Sequence, residues 1–369
     1  MQRKLGVCEL PSAYPLLLKE AILRFYQPST EFYCGVDLHA KTMYLCILDR
    51  HGAIHLHKNL RTEPDAFLHA VAPYRASLVV AVECLHCWYW LSDLCAQEGI
   101  PFVLGHVLAM RAIHGGKTKN DKIDSEKIAR LTQGGLLPQA YVYPAAQRGL
   151  RDLLRRRMRL VRLRAELYGH VQTLYRQANR HLTGAAAKAA AADAALPEPF
   201  ADAAVQRNAE ADLEMAGHYD AIIRDLEQHV LSATRTNRAK ELCLLQSIPG
   251  IGPILALTLM YEVDSIDRFT TRQQFCSYSR LVYPRQESAG KQSGCKGRKM
   301  GNAYLKWAFS EAAVYAARFY PRIGAYLHRL ESKYGPGKSK SLLAHKLGRA
   351  VYHMLRKGTV FDEDKFLRG

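Results

Sequence analysis

Five short apolar runs in the first third of the chain most limit what it can fold into. The first three runs follow one another closely: FYCGVDLH (from Phe32), TMYLCILD and IHLHKNL. Between the second and third, Arg50-His51-Gly52 indicates a hairpin turn. SLVVAVEC and FVLGHV are the other two runs. Helix-like stretches stand at roughly Glu63–Ala72, at CWYWLSDLCAQEG and at KIDSEKIARLTQGG. The order β-β-β-α-β-α-β-α predicts a mixed sheet flanked by helices, an α/β layer architecture.

Acidic residues stand inside or directly after these elements. The predicted order is that of the ribonuclease-H fold, in which the first strand is central, the fourth lies beside it, and the last helix crosses their carboxyl ends. Asp37 lies within the first strand and Glu83 ends the fourth, while Asp121 and Asp124 share one face of the last helix. We therefore expect the four carboxylates to converge, although either helix residue alone is equally well explained as an N-cap.

A convergent set of carboxylates needs a counter-charge. An acid in an apolar strand is costly to bury unless it is paired, and like charges a few Å apart raise one another's pKa. Mg²⁺, with Mn²⁺ as an alternative, accepts hard oxygen ligands, and two such ions can stabilise both the attacking and the leaving oxygen of a phosphodiester. The set Asp37, Glu83, Asp121 and Asp124 therefore predicts a catalytic metal site.

The middle of the chain is helical and rich in arginine. Between Arg148 and Leu182, apolar residues recur every three or four positions, which predicts a long amphipathic helix suited to pairing with another helix; they are Leu154, Met158, Val161, Ala165, Tyr168 and Tyr175. The low-complexity stretch GAAAKAAAADAALPEP predicts a tip, and the segment around Asn208–Arg238 predicts an antiparallel return arm.

Charge and cysteine content bear on partners and compartment. The chain has 52 Lys and Arg against 34 Asp and Glu, a net charge of +18, which favours nucleic acid as the partner. Within the arginine run we expect phosphate contacts from four residues, the alternative being a solvated helix face: Arg151, Arg155, Arg156 and Arg157. Nine cysteines without framework spacing predict reduced thiols in the cytoplasm, and Cys84 and Cys87 lack the second pair that a zinc site needs. No apolar run predicts a membrane span.

Two glycine-containing segments in the last third suit phosphate contact. In SIPGIGP, Gly250 and Gly252 allow a tight turn like that of helix-hairpin-helix modules, where backbone N–H groups meet a phosphate; a plain turn between core helices is the alternative. Further on, Ser288 and Ser293 lie in a Gly-rich loop whose cations suit contact with the DNA backbone: Lys291, Lys296, Arg298 and Lys299. A serine there can attack phosphorus if it is activated, but a serine in a loop of this composition is more often simply solvated.

Three blocks of residues together resemble the DEDD transposases of the IS-one-ten family, which bacterial insertion sequences encode. They are GVDLH with VECLHCWYW, then GGKTKNDKIDSEKIARL, and lastly SIPGIGP followed by RF…ESAGK…GNAYLKWAFSEAA, and the resemblance covers about residues 33–360. It implies that the four acids are Asp37, Glu83, Asp121 and Asp124, and that the catalytic serine is Ser288 of ESAGK, with Ser293 as the other choice.

The resemblance also implies an architecture in four parts. An N-terminal extension (1–31) precedes a RuvC-like nuclease domain of ribonuclease-H fold (32–145). A helical coiled-coil insert (146–240) follows, and a mainly α-helical transposase domain (241–369) carries the turn and the serine loop and ends in a basic helix. A short helix is expected in the extension.

The implied activity is cutting and rejoining DNA strands. The implied partners are donor and target DNA, a structured guide (bridge) RNA that pairs with both, and further copies of the chain in a dimer or tetramer with composite active sites, in the bacterial cytoplasm at the nucleoid. Two alternatives remain: a RuvC-like junction nuclease that hydrolyses DNA with water, and a nucleic-acid-binding protein without catalysis.

Overall fold

The computed structural model describes residues 24–113, 120–193, 195–282, 287–288, 291–292 and 300–368. Its first part contains the predicted mixed sheet, ordered β3-β2-β1-β4-β5. The strands are β1 (Phe32–Leu38), β2 (Thr42–Asp49), β3 (Ile54–Arg61), β4 (Leu78–Glu83) and β5 (Phe102–Gly105). β1, β2 and β3 pair antiparallel, whereas β4 pairs parallel with β1 and β5 with β4. This topology is consistent with a ribonuclease-H-like domain.

Helices cover this sheet: α1 (Pro64–Val71), α2 (Tyr89–Gln97), α3 (Val107–Ile113) and α4 (Asp121–Gln133). The prediction missed α3, because the apolar run FVLGHV continues past the end of β5 at Gly105. The short helix expected before residue 32 is wrong for residues 24–31, which are not helical; Phe25 instead forms a β-bridge with Pro138. The remainder of that extension lies outside the described residues.

One glycine sets the distance between β1 and α4. A Cβ atom on Gly35 would collide with the backbone of Ser125 and Ala129, so the helix lies directly on the strand there. Because Asp37 is two residues further along β1 and α4 begins at Asp121, this close approach places the two carboxylates near the same edge of the sheet.

Two long helices form an antiparallel arm: α5 (Ala145–Gln177) and α7 (Ala203–Gln246), with α6 (Gly184–Asp193) near the tip. The apolar stripe of α5 is largely used within the chain, since Leu154 shares a buried cluster with Val230 and Tyr175 shares one with Leu213. The return arm extends further than predicted. It has non-helical backbone angles at Arg238, two residues before the predicted domain boundary.

The last part is helical. It contains α8 (Pro253–Val263), α9 (Arg272–Tyr278), α10 (Ala303–Phe319), α11 (Pro321–Tyr334), α12 (Pro336–Lys357) and α13 (Glu363–Arg368), together with the two-residue strands β6 (Glu287–Ser288) and β7 (Lys291–Gln292). Leu257, Phe275, Phe309 and Leu347 are fully buried in a core that also takes in Leu154 of the arm. Within the described ranges, no helix combines the length and apolar character needed to cross a membrane.

Candidate active site

Carboxylates meet where β1 ends. Asp37 is 7% exposed, and because Val36 pairs with Val82, Asp37 and Glu83 occupy the next positions on two adjacent parallel strands. His39 Nε2 lies 3.4 Å from Asp37 Oδ2 and 3.6 Å from Asp121 Oδ1. Potential ligand atoms of Asp37, His39 and Asp121 all lie within 4.8 Å of one another, which is close enough to share one metal ion.

The N-cap of α4 is Asn120, not an acid. Its side-chain oxygen accepts a hydrogen bond of 2.8 Å from the N–H of Ile123. The simpler explanation of Asp121 and Asp124 as N-caps therefore does not apply. Asp124 forms an ion pair of 3.2 Å with Lys127. The first turn of α4 can thus present its carboxylates to the edge of the sheet.

The environment of Asp37 disfavours its charged form. Burial raises its pKa above the ordinary aspartate value, the charges of Asp121 and Asp124 raise it further, and His39 partly offsets these effects. Asp37 therefore ionises at an electrostatic cost that a bound cation would remove. Carboxylate oxygens are the donors that hard divalent cations accept, so the carboxylates of Asp37 and Asp121 fit such an ion.

His39 was missed by the sequence analysis. It directly follows β1, two residues after Asp37. Residues two apart on extended backbone point the same way, so this spacing was the signal that could have identified it.

A second buried carboxylate, Glu262 of α8, is surrounded by compensating groups. Its Oε1 accepts a 2.6 Å hydrogen bond from Arg155 Nε, while its Oε2 accepts bonds from Arg151 Nε at 3.1 Å, Arg155 Nη2 at 2.9 Å and Asn302 Nδ2 at 2.7 Å. Burial alone would raise the pKa of Glu262, but the hydrogen bonds and the two guanidinium charges lower it below its ordinary value. Arg155 also lies over the ring of Tyr304, 4.4 Å from its centroid.

Three of the four arginines expected to contact phosphate have partners within the chain. Arg151 and Arg155 bind Glu262, and Arg157 Nη2 lies 2.6 Å from Glu227 Oε1 on the return helix. These ion pairs favour a role within the fold for the three arginines, and their role as nucleic-acid ligands stays a prediction. Arg156 is exposed and remains a candidate.

The SIPGIG turn has a packing role at its first glycine. Gly250 has φ +81°, and a Cβ atom there would collide with the backbone of Ala312 and Ala316 in α10. This supports the alternative of a turn between core helices, since the glycine is pressed against protein. Gly252 is exposed directly before α8, and a phosphate contact there remains a prediction.

The backbone at both ends of the serine loop is held together. Arg280 Nε donates to the carbonyls of Met300 and Gly301, both at 2.9 Å, and the N–H of Asn302 donates to the Tyr278 carbonyl at 2.6 Å. Within the loop, Ser288 pairs with Lys291 in the β6–β7 ladder. The side chains of Ser288 and Lys291 lie outside the described part, as do all of Ser293, Lys296, Arg298 and Lys299. The roles expected for these six stay predictions.

Comparisons with known proteins match two regions of the chain to transposase families. Residues 34–179 match the model of DEDD transposases of IS110 type, described as a transposase, and residues 243–328 match the Transposase IS116/IS110/IS902 family. The chain is similar to the Transposase for insertion sequence element IS1111A of Coxiella burnetii, with 25% identity over 279 residues, 74% of each chain. DEDD domains suggest the use of a divalent metal, and the Asp37 cluster is a candidate for it.

The first matched region contains all four predicted acids and the second contains the SIPGIG turn and the serine loop. The chain therefore belongs to the IS110 family of DEDD transposases and is a DNA transposase.

Proposed function

We propose that this transposase cuts and rejoins DNA with Mg²⁺ held by Asp37, Glu83, Asp121 and Asp124 and with Ser288 as the nucleophile. The observation that carries the proposal is the Asp37–His39–Asp121 cluster, where the pKa of a buried carboxyl is raised with further acids beside it. When bound, Mg²⁺ supplies positive charge that stabilises the oxygens of the reacting phosphate. Asp37 and Asp121 would hold it, Glu83 lies next in register, and His39 would orient the carboxylates by hydrogen bonding.

Ser288 would carry the covalent step. Its Oγ attacks phosphorus, a serine–phosphate bond forms, and the phosphorus–oxygen bond to the leaving strand breaks, with a proton passing to the leaving oxygen. The hydroxyl end of another strand then attacks the same phosphorus and releases the serine, so that no oxidant or reductant is consumed. The cations Lys291 and Arg298 would offset the charge that develops on the phosphate.

The family resemblance supports two further parts of the proposal. A structured RNA would pair with donor and target DNA and select the sites, and oligomers would form composite active sites. The apolar stripe of α5 is not available as an oligomer surface, because Leu154, Met158 and Tyr175 are buried within the chain. Another face must serve if oligomers form.

A covalent protein–DNA adduct tests the serine chemistry. Labelled DNA incubated with the protein and its copurified RNA should yield an adduct that depends on added Mg²⁺ and disappears in Ser288→Ala. The matched control Ser293→Ala should keep it. If the two variants exchange these outcomes, Ser293 is the nucleophile. If cut product forms without an adduct in the unaltered protein, the enzyme hydrolyses DNA with water as a nuclease and the serine step is refuted.

A further inference from the structure

Helix α12 carries a strongly basic face. Its 22 residues include no Asp or Glu and six Lys or Arg, namely Lys338, Lys340, Lys346, Arg349, Arg356 and Lys357. One side of the helix is buried in the C-terminal core through Leu343, Leu347 and Val351. His345, Arg349 and His353 are each four residues apart and therefore line up on the opposite side. The helix thus presents a continuous row of basic side chains.

Most of this charge is left uncompensated. Arg356 Nη1 lies 2.6 Å from Asp267 Oδ1, so its charge is neutralised. In the part of the chain that the structure describes, no carboxylate lies within ion-pair distance of Arg272, Arg349 or Lys357. The acids of the neighbouring α13 do not help, since Glu363 and Asp364 bind Arg322 instead.

A second element adds a cation to the same face. Arg272 begins α9, which packs against α12, and both Arg272 and Arg349 are only half-buried. Burial lowers the pKa of His345, and the charges of Arg349 and Arg272 lower it further. The pKa of His353 is lowered as well, with the same two arginines and Lys357 contributing. Arg272 and Arg349 thus both lie near the two histidines, on the same face of α12.

The basic face lies at the base of the serine loop. A Cβ atom on Gly348 would lie 2.5 Å from Leu281 Cδ1, so α12 touches the residue from which the loop departs. Arg349 is the next residue on α12, and Arg272 precedes the loop by one short helix. A DNA strand whose phosphate reached the loop would therefore pass near the guanidinium groups of Arg272 and Arg349.

We propose that Arg272 and Arg349, with the face of α12 around His345 and His353, bind the phosphate backbone of the DNA strand that enters the serine loop. The site rests on the proposed function of that loop. Phosphates would supply the negative charge that the protein does not provide at this face. Half-buried guanidinium groups are suited to binding phosphate, because a guanidinium group donates several hydrogen bonds in a fixed plane. The surface recognises DNA without reading its sequence.

Salt-dependent DNA binding tests the proposal. A mixed-sequence DNA duplex and an RNA hairpin of similar length would be titrated with the protein over a range of salt concentrations. The variant Arg272→Gln with Arg349→Gln should bind DNA more weakly, and its salt slope should fall by roughly 0.9 for each phosphate that it no longer neutralises. Its melting temperature should change little, because neither arginine forms an ion pair within the part of the chain that the structure describes. The control Arg356→Gln, on the same helix, should leave the DNA slope unchanged.

Each alternative outcome is decisive. An unchanged DNA slope in the double variant overturns the proposal, as does a weakening confined to the RNA hairpin, which would make this an RNA surface. Ser288→Ala separates failure of the serine chemistry from failure of the DNA surface. This variant should keep the full salt slope of DNA binding whether or not an adduct forms. If Ser288→Ala abolishes the adduct while the double variant binds DNA normally, the proposed function stands and the DNA surface does not.

Discussion

Asp37 and Glu262 are both buried carboxylates in apolar elements, yet the protein treats their charges in opposite ways. Glu262 is neutralised by Arg151 and Arg155, and its pKa is lowered. Asp37 has Asp121 and Asp124 as neighbours, and its pKa is raised. The protein compensates the first charge itself, so that removing a partner would leave an uncompensated buried charge. The protein leaves the Asp37 carboxylate without enough positive charge nearby. This is what we expect of a site that an added cation completes.

The same contrast separates the two groups of arginines. Arg155 and Arg157 belong to a conspicuous run of arginines but are paired within the chain, whereas Arg349 stands in an ordinary-looking helix without a carboxylate partner among the described residues. Density of charge in the sequence therefore does not by itself distinguish paired arginines from unpaired ones. What separates the two groups is whether folding brings an opposite charge to them.

Substitution at Asp37 should produce the largest effect on activity. Asp37→Asn removes a proposed ligand of the metal ion whose charge would stabilise the reacting phosphate, and a loss of several kcal/mol would slow strand cleavage more than about a hundredfold. Stability should not fall, because a buried charge and its repulsion by Asp121 are removed. Cleavage assays with melting curves of the same preparation check both parts, and near-normal cleavage would contradict the assignment.

Substitution at Glu262 should affect stability instead. Glu262→Gln leaves two arginines without their buried counter-charge and should reduce the free energy of unfolding by about 3–5 kcal/mol. The control Glu227→Gln breaks the more exposed pair with Arg157 and should cost at most about 1 kcal/mol. Denaturant unfolding measures both, and equal effects would show that burial does not set the strength of these pairs.

The two carboxylates should respond to pH with opposite signs. The folded-state pKa of Glu262 is lowered, so its contribution to stability is present above the unfolded-state pKa and is lost as pH falls through the lowered folded-state value. The folded-state pKa of Asp37 is raised, so its charge costs stability as pH rises through the ordinary aspartate range. The unfolding free energy of Glu262→Gln should therefore approach that of the unaltered protein on acidification, and that of Asp37→Asn should exceed it increasingly towards neutral pH.

The smallest expected effect concerns Arg156. It is the exposed one of the four arginines expected to contact phosphate, so Arg156→Gln should lower the salt slope of DNA or RNA binding by at most about 0.9, the value for one neutralised phosphate, and leave the melting temperature unchanged. Arg155→Gln should lower the melting temperature instead, because it removes the two hydrogen bonds that Arg155 donates to the buried Glu262 carboxylate. If Arg155→Gln flattened the slope without destabilising the protein, the ion pair would not be the main role of Arg155.

Local patterns predicted the elements that hold the site. Apolar runs marked all five strands, and a carboxylate inside the run CGVDLH marked Asp37, because burying such a group needs a specific reason. The same signal was present in LTLMYEV of α8, where Glu262 interrupts an apolar helix, and it was overlooked.

Long-range partners could not be predicted from local patterns. Glu262 is more than 100 residues from Arg151 and Arg155, and nothing in the spacing of either segment indicates that they meet. The same holds for the arm. The periodicity of α5 correctly predicted a helix with an apolar stripe. It could not predict whether the helix that covers this stripe belongs to the same chain.

The stabilisation of the protein by Mg²⁺ tests the central claim most directly, because it measures whether an added cation completes the Asp37 site. Melting temperatures would be recorded over a Mg²⁺ titration for the unaltered protein, Asp37→Asn and Glu262→Gln. A ligand that binds the folded state raises the melting temperature. We expect Mg²⁺ to raise it in the unaltered protein, to raise it similarly in Glu262→Gln from a lower starting value, and to have little effect in Asp37→Asn. An equal rise in Asp37→Asn, or none in the unaltered protein, would contradict the account.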